Sequence, residues 1–428
     1  MNTIRRFFLP TIVLGLLGTP ASGEDPPRPG TPDVIIQPIP LTRPPHDPSL
    51  TSKTVAFWEQ RARDDPKGGL EQRELASAYL ARQRESGDIA DAVRAEKAAR
   101  RSLELMPRGN ANAMIRLARS LLAQHRFPEA KEVADRAAML DPQAHRLQAD
   151  IALELGEYDA AERALAEIPD QADDLNLKAL AARIEEINGK PDRALALMRE
   201  AARQADALYD MPAESAAWYH TMIGHSLIDS GKLDDGELAC REALAIFPRD
   251  YRAMTGMAEA AAWRGDHAGA ASWASKALAI SSQNPEALRL LGEAFAGMGK
   301  AREADEQFRL LRELAHSFPR IYDRHWILFL ADEGRDLDEA LALARKDLQL
   351  RHDIHAHDTL AWACFKKGLL DEAGREMALA MARGTQEASL FLHAGTIARA
   401  QGDPARAEAL LARARTLNPY SMKPAPAR

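Results

Sequence analysis

Three histidines, His352, His355 and His357, cluster beside Asp358, with His393 further along the chain. Imidazoles next to a carboxylate are a donor set for a transition metal, so this segment has the clearest capacity for chemistry. The spacing argues against a shared ligand sphere. Residues two apart on a helix face different directions, and His357 falls where a helix needs bulk for its core. A structural or solvated role leads, with a metal- or cofactor-handling role for the His352–His357 region as the alternative. Gly297-Met298-Gly299-Lys300 has a faint likeness to a phosphate loop, but Ala294 stands in place of the first glycine and Ala301 in place of Ser or Thr. It reads as a turn. No H-E-x-x-H, C-x-x-C or G-x-S-x-G occurs. The sequence therefore assigns no catalytic residue, no metal and no cofactor, and the chain reads as a non-enzyme.

Charge narrows the partners. The chain of 428 residues carries a formal charge of −7, the wrong sign for a nucleic-acid-binding surface. Its two cysteines, Cys240 and Cys364, are too few for a disulfide framework. With the units stacked in a line they lie too far apart to pair, so both are expected as small core residues.

The elements that position these groups are legible from six glycines: Gly231, Gly265, Gly299, Gly334, Gly368 and Gly402, spaced 34, 34, 35, 34 and 34. A small residue follows five positions after most of them, and Ala340 comes one step late. A period of this length marks an array of helical hairpins. From Tyr251, the residues Met254, Met257, Ala258 and Ala261 form one helical stripe. Ala270, Ala274, Ala277 and Leu278 form a second across the Arg264-Gly265-Asp266 turn. Earlier units are less regular. The first is expected to carry an insertion after Gly87, Pro169 to shorten one helix, and the helix after Gly189 to run long toward Tyr209. Phe57-Trp58 reads as an N-terminal capping helix. About ten hairpins fall between residues 53 and 419.

These marks resemble the tetratricopeptide repeat: Leu117-Ala118 with Ala130 and Asp141-Pro142, Ile223-Gly224 with Gly231 and Pro248, Leu291-Gly292 with Gly299 and Phe308, and Ala394-Gly395 with Gly402 and Asn418-Pro419. The resemblance implies an all-α fold, a right-handed α-solenoid whose first helices line a concave groove that binds a protein or peptide. Carried over position by position, the groove residues are Trp218, His225, Arg252, Glu259, Trp263, Arg289, Glu293, Arg324, Asp358 and Trp362. The same transfer reaches Thr221, Ile228, Asp229, Thr255 and Asp332. Aromatics and Arg are the types that dominate protein interfaces; each also has a structural reading as gap-filler or ion-pair partner. The Lys and Asn pattern that clamps a C-terminal carboxylate in some family members is absent, which argues against a chaperone-tail clamp.

The N-terminus reads separately. Arg5 and Arg6 precede an apolar run from Phe7 to Gly18, and Ala21-Ser22-Gly23 supplies small residues for cleavage, the pattern of a secretory signal peptide. Loss of Arg5 and Arg6 takes the charge from −7 to −9. The expected organisation is a signal peptide over 1–23, a Pro-rich disordered leader over 24–50, the solenoid over 51–419 and a tail over 420–428. The chain is expected to be exported, periplasmic or secreted, without stable membrane insertion after cleavage. Leu390 to Ala398 also resembles a segment of exported bacterial tetratricopeptide proteins.

Overall fold

Each helix starts and stops for a local reason. Asp88, Asn110, Asp174, Asp250, Asp266, Asn284, Asp353 and Asp403 each cap a helix, accepting a hydrogen bond from a backbone N–H two or three residues on. That satisfies donors a first helical turn leaves unpaired. The computed structural model describes residues 43, 46–168, 174–319, 321 and 323–421, and among these the regular elements are all helices.

α1 (Leu50–Asp64) precedes ten antiparallel hairpins. They pair α2 (Gly69–Ser86) with α3 (Ile89–Leu105), α4 (Ala111–Ala123) with α5 (Phe127–Ala138), and α6 (His145–Leu155) with α7 (Tyr158–Ala166). Next come α8 (Leu175–Ile187) with α9 (Pro191–Ala207), α10 (Ala213–Asp229) with α11 (Leu233–Ile246), and α12 (Tyr251–Arg264) with α13 (His267–Ile280). The last four are α14 (Pro285–Gly297) with α15 (Ala301–Ser317), α16 (Asp323–Glu333) with α17 (Leu337–Leu348), α18 (Ile354–Lys366) with α19 (Leu370–Ala380), and α20 (Ala388–Ala400) with α21 (Pro404–Leu417). The all-α solenoid expected from the glycine period is the observed fold.

A left-handed residue turns every hairpin. In nine it is glycine; in hairpin 2 it is His125, at φ 51°. Hairpin 8 adds Asp336 at φ 39°, an extra turn residue that accounts for the late Ala340. The insertion expected after Gly87 is not there. Asp88 caps α3 directly, and the extra length of hairpin 1 is helical, with 18 residues in α2 and 17 in α3. α7 is short and α9 long, as Pro169 and the run to Tyr209 indicated.

Alanine sets the interhelical spacing. Ala130, Ala134, Ala137, Ala270, Ala274 and Ala277 expose no surface, and larger side chains fill the gaps between hairpins. Phe308 packs on Phe329 with ring centroids 4.7 Å apart, and Trp326 stacks on Phe329 at 5.3 Å. Cys240 and Cys364 are free and buried, in α11 and α18.

The hairpins do more than touch their neighbours. Each turn in hairpins 1 to 5 lies near the loop or helix start that follows the hairpin five places later. The Ile89 N–H donates to Gln283 Oε1 at 3.3 Å, beside Gly87, which abuts Ser281. His125 feels the charge of His325, at the start of α16. The His352 N–H donates to the Leu155 carbonyl at 2.9 Å, and the Ile354 N–H to the Tyr158 hydroxyl at 2.8 Å. Thr385 Oγ1 donates to the Ile187 carbonyl at 2.5 Å. Asn418 Nδ2 donates to the Asp229 carbonyl at 3.1 Å. Arg383 braces this seam, pairing with Asp159 at 3.1 Å and lying over the Tyr158 ring at 5.1 Å. Successive turns of the superhelix are thus in contact, with five hairpins separating each turn from its loop.

The described residues fall in one compact unit. The expected signal peptide and most of the leader lie outside the described residues, as do 422–428. The expectation of a disordered leader to residue 50 needs correction at its end. Arg43 Nη2 donates to the Ala205 carbonyl at 2.7 Å, and His46 meets the Phe247 ring edge-on at 4.7 Å. Tyr420, assigned to the tail, packs on the cluster around Phe247. Among the described residues, no helix is long and apolar enough to cross a membrane.

Candidate functional site

The first helices of successive hairpins lie side by side, so their matching faces join into one inner surface. The sequence-derived residues fall on it with different freedom. None of the ten is fully exposed. Asp358 is only 2% exposed, which corrects its assignment as a contact residue. It accepts a hydrogen bond from His393 Nδ1 at 2.8 Å. Burial pulls its carboxyl up, but His393 together with Arg324 and His355 outweighs this and holds it below the usual range. His393 in turn stacks on Trp362 at 4.0 Å, and Trp362 Nε1–H donates to Asp332 Oδ1 at 2.8 Å. Asp332, Asp358, Trp362 and His393 therefore tie α16, α18 and α20 together.

Three arginines are also engaged. Arg252 joins Glu214 at 2.8 Å and Asp250 at 3.2 Å. Arg289 pairs with Glu286 and with Glu293, the latter at 2.6 Å. Arg324 Nη2 lies 3.3 Å from His355 Nδ1. His225 Nε2 lies 3.0 Å from the Arg252 carbonyl. Trp218 meets Tyr219 edge-on at 5.1 Å and packs on the hairpin 4–5 core. Trp263 sits beside Glu259 and against the cluster around Met257. Thr221 and Ile228 are wholly buried. Thr221 Oγ1 donates to Asp250 Oδ2 at 2.8 Å, and Thr255 Oγ1 accepts from Asn284 Nδ2 at 2.9 Å. Both bonds hold the cap of the next hairpin, which is why this repeat position favours a hydroxyl here.

The two-residue spacing turns His355 away from His357, while the His352 and His357 rings stay 6.2 Å apart. His355 turns to Arg324 and Glu387, the latter at 3.7 Å, whereas His357 turns to Glu376 at 2.8 Å. Among the described residues no group of three or more His, Cys, Asp or Glu is placed to hold a metal ion.

Open residues on this face include Asp229 and Asp332, which the repeat positions reach, and Glu186, which they leave out. Asp229 is nonetheless pushed well above the carboxylate range, by burial among surrounding chain and then by Glu259, Glu387, Glu186 and Glu286. Surface open to water, combined with crowding by chain, is what an enclosed, wet inner face produces. Glu186 is raised by burial and by Glu387. Glu259 is pushed up to about 7 by burial and by Glu286. Acids from α8, α10, α12 and α14, with Glu387 before α20, thus share one field. Nearer the N-terminus the sign reverses. Burial lowers Arg119 to about 10, helped by Arg84, Arg116 and Arg146.

Glu259→Gln is therefore expected to stabilise the fold at alkaline pH. A carboxyl whose folded value lies above its unfolded one weakens the fold as pH climbs through that interval. The variant should match wild type below about pH 4 and exceed it by roughly 2–4 kcal/mol near about pH 8 in urea titrations. A gap that stays constant across this range would refute the assignment.

With the geometry in place, the chain can be set against known proteins. A tetratricopeptide repeat model matches residues 115–176 and 221–285, from α4 to the start of α8 and from α10 to the start of α14. No curated protein matches. The crystal structure of yeast Tom70 is similar over 86% of this chain and 88% of its own, at 15% identity and a TM-score of 0.36. The Cut9–Hcn1 hetero-tetramer structure of APC/C covers 87% and 91%, at 13% identity and a TM-score of 0.33. MamA AMB-1 covers 40% of this chain and 98% of its own, at 18% identity and a TM-score of 0.32.

Proposed function

We propose that the protein is a non-enzymatic scaffold that binds a protein segment along its inner face, and that it works outside the cytoplasm. The observation that carries the first part is the crowded acidity of that face: Glu186 and Asp229 are exposed among further acids, neither bonds a cation among the described residues, and a cationic partner would relieve the crowding. An extended polypeptide bearing Lys or Arg side chains is the partner such a surface fits. Tetratricopeptide repeats bind protein partners in general, which supports this reading. Contacts of this kind steer encounter and specificity, so binding should weaken with salt.

The test is selection of peptides on the immobilised chain, followed by titration against Glu186→Gln/Asp229→Asn. The selected peptides are expected to be basic and to bind the double variant about tenfold or more weakly. Acidic or neutral selections, or equal affinity for both chains, would overturn the reading. Location rests on the Arg5-Arg6 and Phe7 to Gly18 pattern. Fractionation of producing cells with N-terminal sequencing should find an extracytoplasmic chain starting near residue 24. A cytoplasmic chain that retains Met1 would refute export.

A further inference from the structure

Within the chain, the turns of hairpins 1 to 5 meet loops five hairpins later, and spare copies of both surfaces remain at the two rims. At one rim a Cβ built on Gly265, Gly299, Gly334, Gly368 or Gly402 would find no atom within 4 Å. These are the turns of hairpins 6 to 10. At the other rim, loops equivalent to those covered higher up carry apolar side chains in the open. Met139 is 78% exposed and Leu140 52%, after hairpin 2, and Leu208 and Tyr209 are 41% and 47% exposed, after hairpin 4. Exposed apolar groups grouped along one edge mark an interaction surface.

We infer that a second copy of this chain docks here, its rim of turns seated on the rim of loops of the first, so that the seam continues head to tail across the chain boundary. The register follows from the contacts inside one chain. If a turn meets the loop five hairpins on, then across the boundary the turn of hairpin 6 meets the loop after hairpin 1, and so on along the rim. This register sets Asp266 opposite Arg108, and Lys300 opposite Leu140 and Asp141. It sets Leu369, itself 39% exposed, opposite Leu208 and Tyr209. Opposite charges meet at two positions and apolar side chains at a third. Arg108 makes no hydrogen bond or ion pair among the described residues, so its charge is available. Arg43 bonds backbone carbonyls at the loop after hairpin 4, and His46 meets Phe247 after hairpin 5, yet the Leu208 and Tyr209 side chains stay open beside them. The contact joins two different surfaces and is therefore heterologous, so that addition of chains does not close after two.

Sedimentation of the purified chain and two rim variants tests this. One variant, Arg108→Glu/Leu140→Arg, repels at the loop rim; the other, Lys300→Glu/Leu369→Glu, repels at the turn rim. All four residues are exposed, and unchanged thermal melts would verify that both variants fold. Wild type is expected to grow in mass between about 1 and about 100 μM, while each variant alone stays a single chain. An equimolar mixture of the two variants should form a two-chain species and stop, because one sound turn rim then meets one sound loop rim. Wild type that remains a single chain throughout would overturn the inference. So would variants that assemble as wild type does, or a mixture that stays dissociated.

Discussion

Gly156→Ala is expected to destabilise the protein by roughly 3–4 kcal/mol, against about 1 kcal/mol for the same change at Gly265. Both glycines turn a hairpin with nearly the same backbone, φ 77° and 79°, so the strain of a left-handed alanine is common to both, about 1 kcal/mol. They differ in surroundings. A Cβ at Gly265 meets nothing, whereas one at Gly156 would overlap the carbonyl carbon of His352 and press on the Asp353 nitrogen. Backbone cannot swing away as a side-chain tip can, so the seam must part. Hydrogen exchange gives the local readout. The amides of His352 and Ile354, bonded to Leu155 and Tyr158, should lose protection in the Gly156 variant alone. Equal losses at the two sites would mean that the seam contributes no stability.

Removal of the Glu214 carboxylate is expected to cost about 2–4 kcal/mol. Glu214 is 4% exposed in α10 and joins Arg252 of α12 to Arg84 of α2, at 2.8 and 3.3 Å. It therefore links adjacent hairpins and also hairpins four places apart. Glu214→Ala leaves Arg252 with Asp250 only; since Arg84 is 45% exposed, water replaces that half of the interaction. The pH dependence has a defined sign. Burial raises the Glu214 carboxyl, but Arg84 and Arg252 outweigh it and hold it low. Its stabilisation is present above the unfolded carboxylate value near 4.3 and is lost as pH falls through the folded value. Urea titrations should show wild type and Glu214→Gln converging as pH drops below about 4. A difference that persists into strong acid would assign the cost to packing.

The local architecture was readable because each hairpin repeats its own instructions. Gly231 to Gly402 mark the turns, alanines mark the close approaches, and Asp or Asn marks the caps. Hairpin 2 has no turn glycine, because His125 takes the left-handed position, and the even 34-residue spacing holds only from Gly231 onward. The groove positions were carried over only from the fifth unit on, so Arg119 in α4 and Glu186 in α8 were missed. Asp358 was misplaced for another reason. A repeat position tells which face a side chain starts from, not whether the next hairpin covers it, and His393 does so. The seam had no sequence signature. Leu155 with His352, or Ile187 with Thr385, are ordinary turn and loop residues far apart in the chain. Their meeting depends on a small rotation between hairpins summed over five of them.

That summation changes what kind of variation the gene can accept. In an open array each unit touches only its neighbours, so recombination between similar repeats, adding or deleting one, leaves a longer or shorter version of the same object. Here a duplication of one hairpin between α8 and α17 would slide every later loop one place along its partners. Gly156 would face the wrong backbone, and Arg383 would leave Asp159 and Tyr158. The number five between a turn and its loop is therefore an inherited constant. Repeats in this protein are expected to diverge by substitution while their count holds.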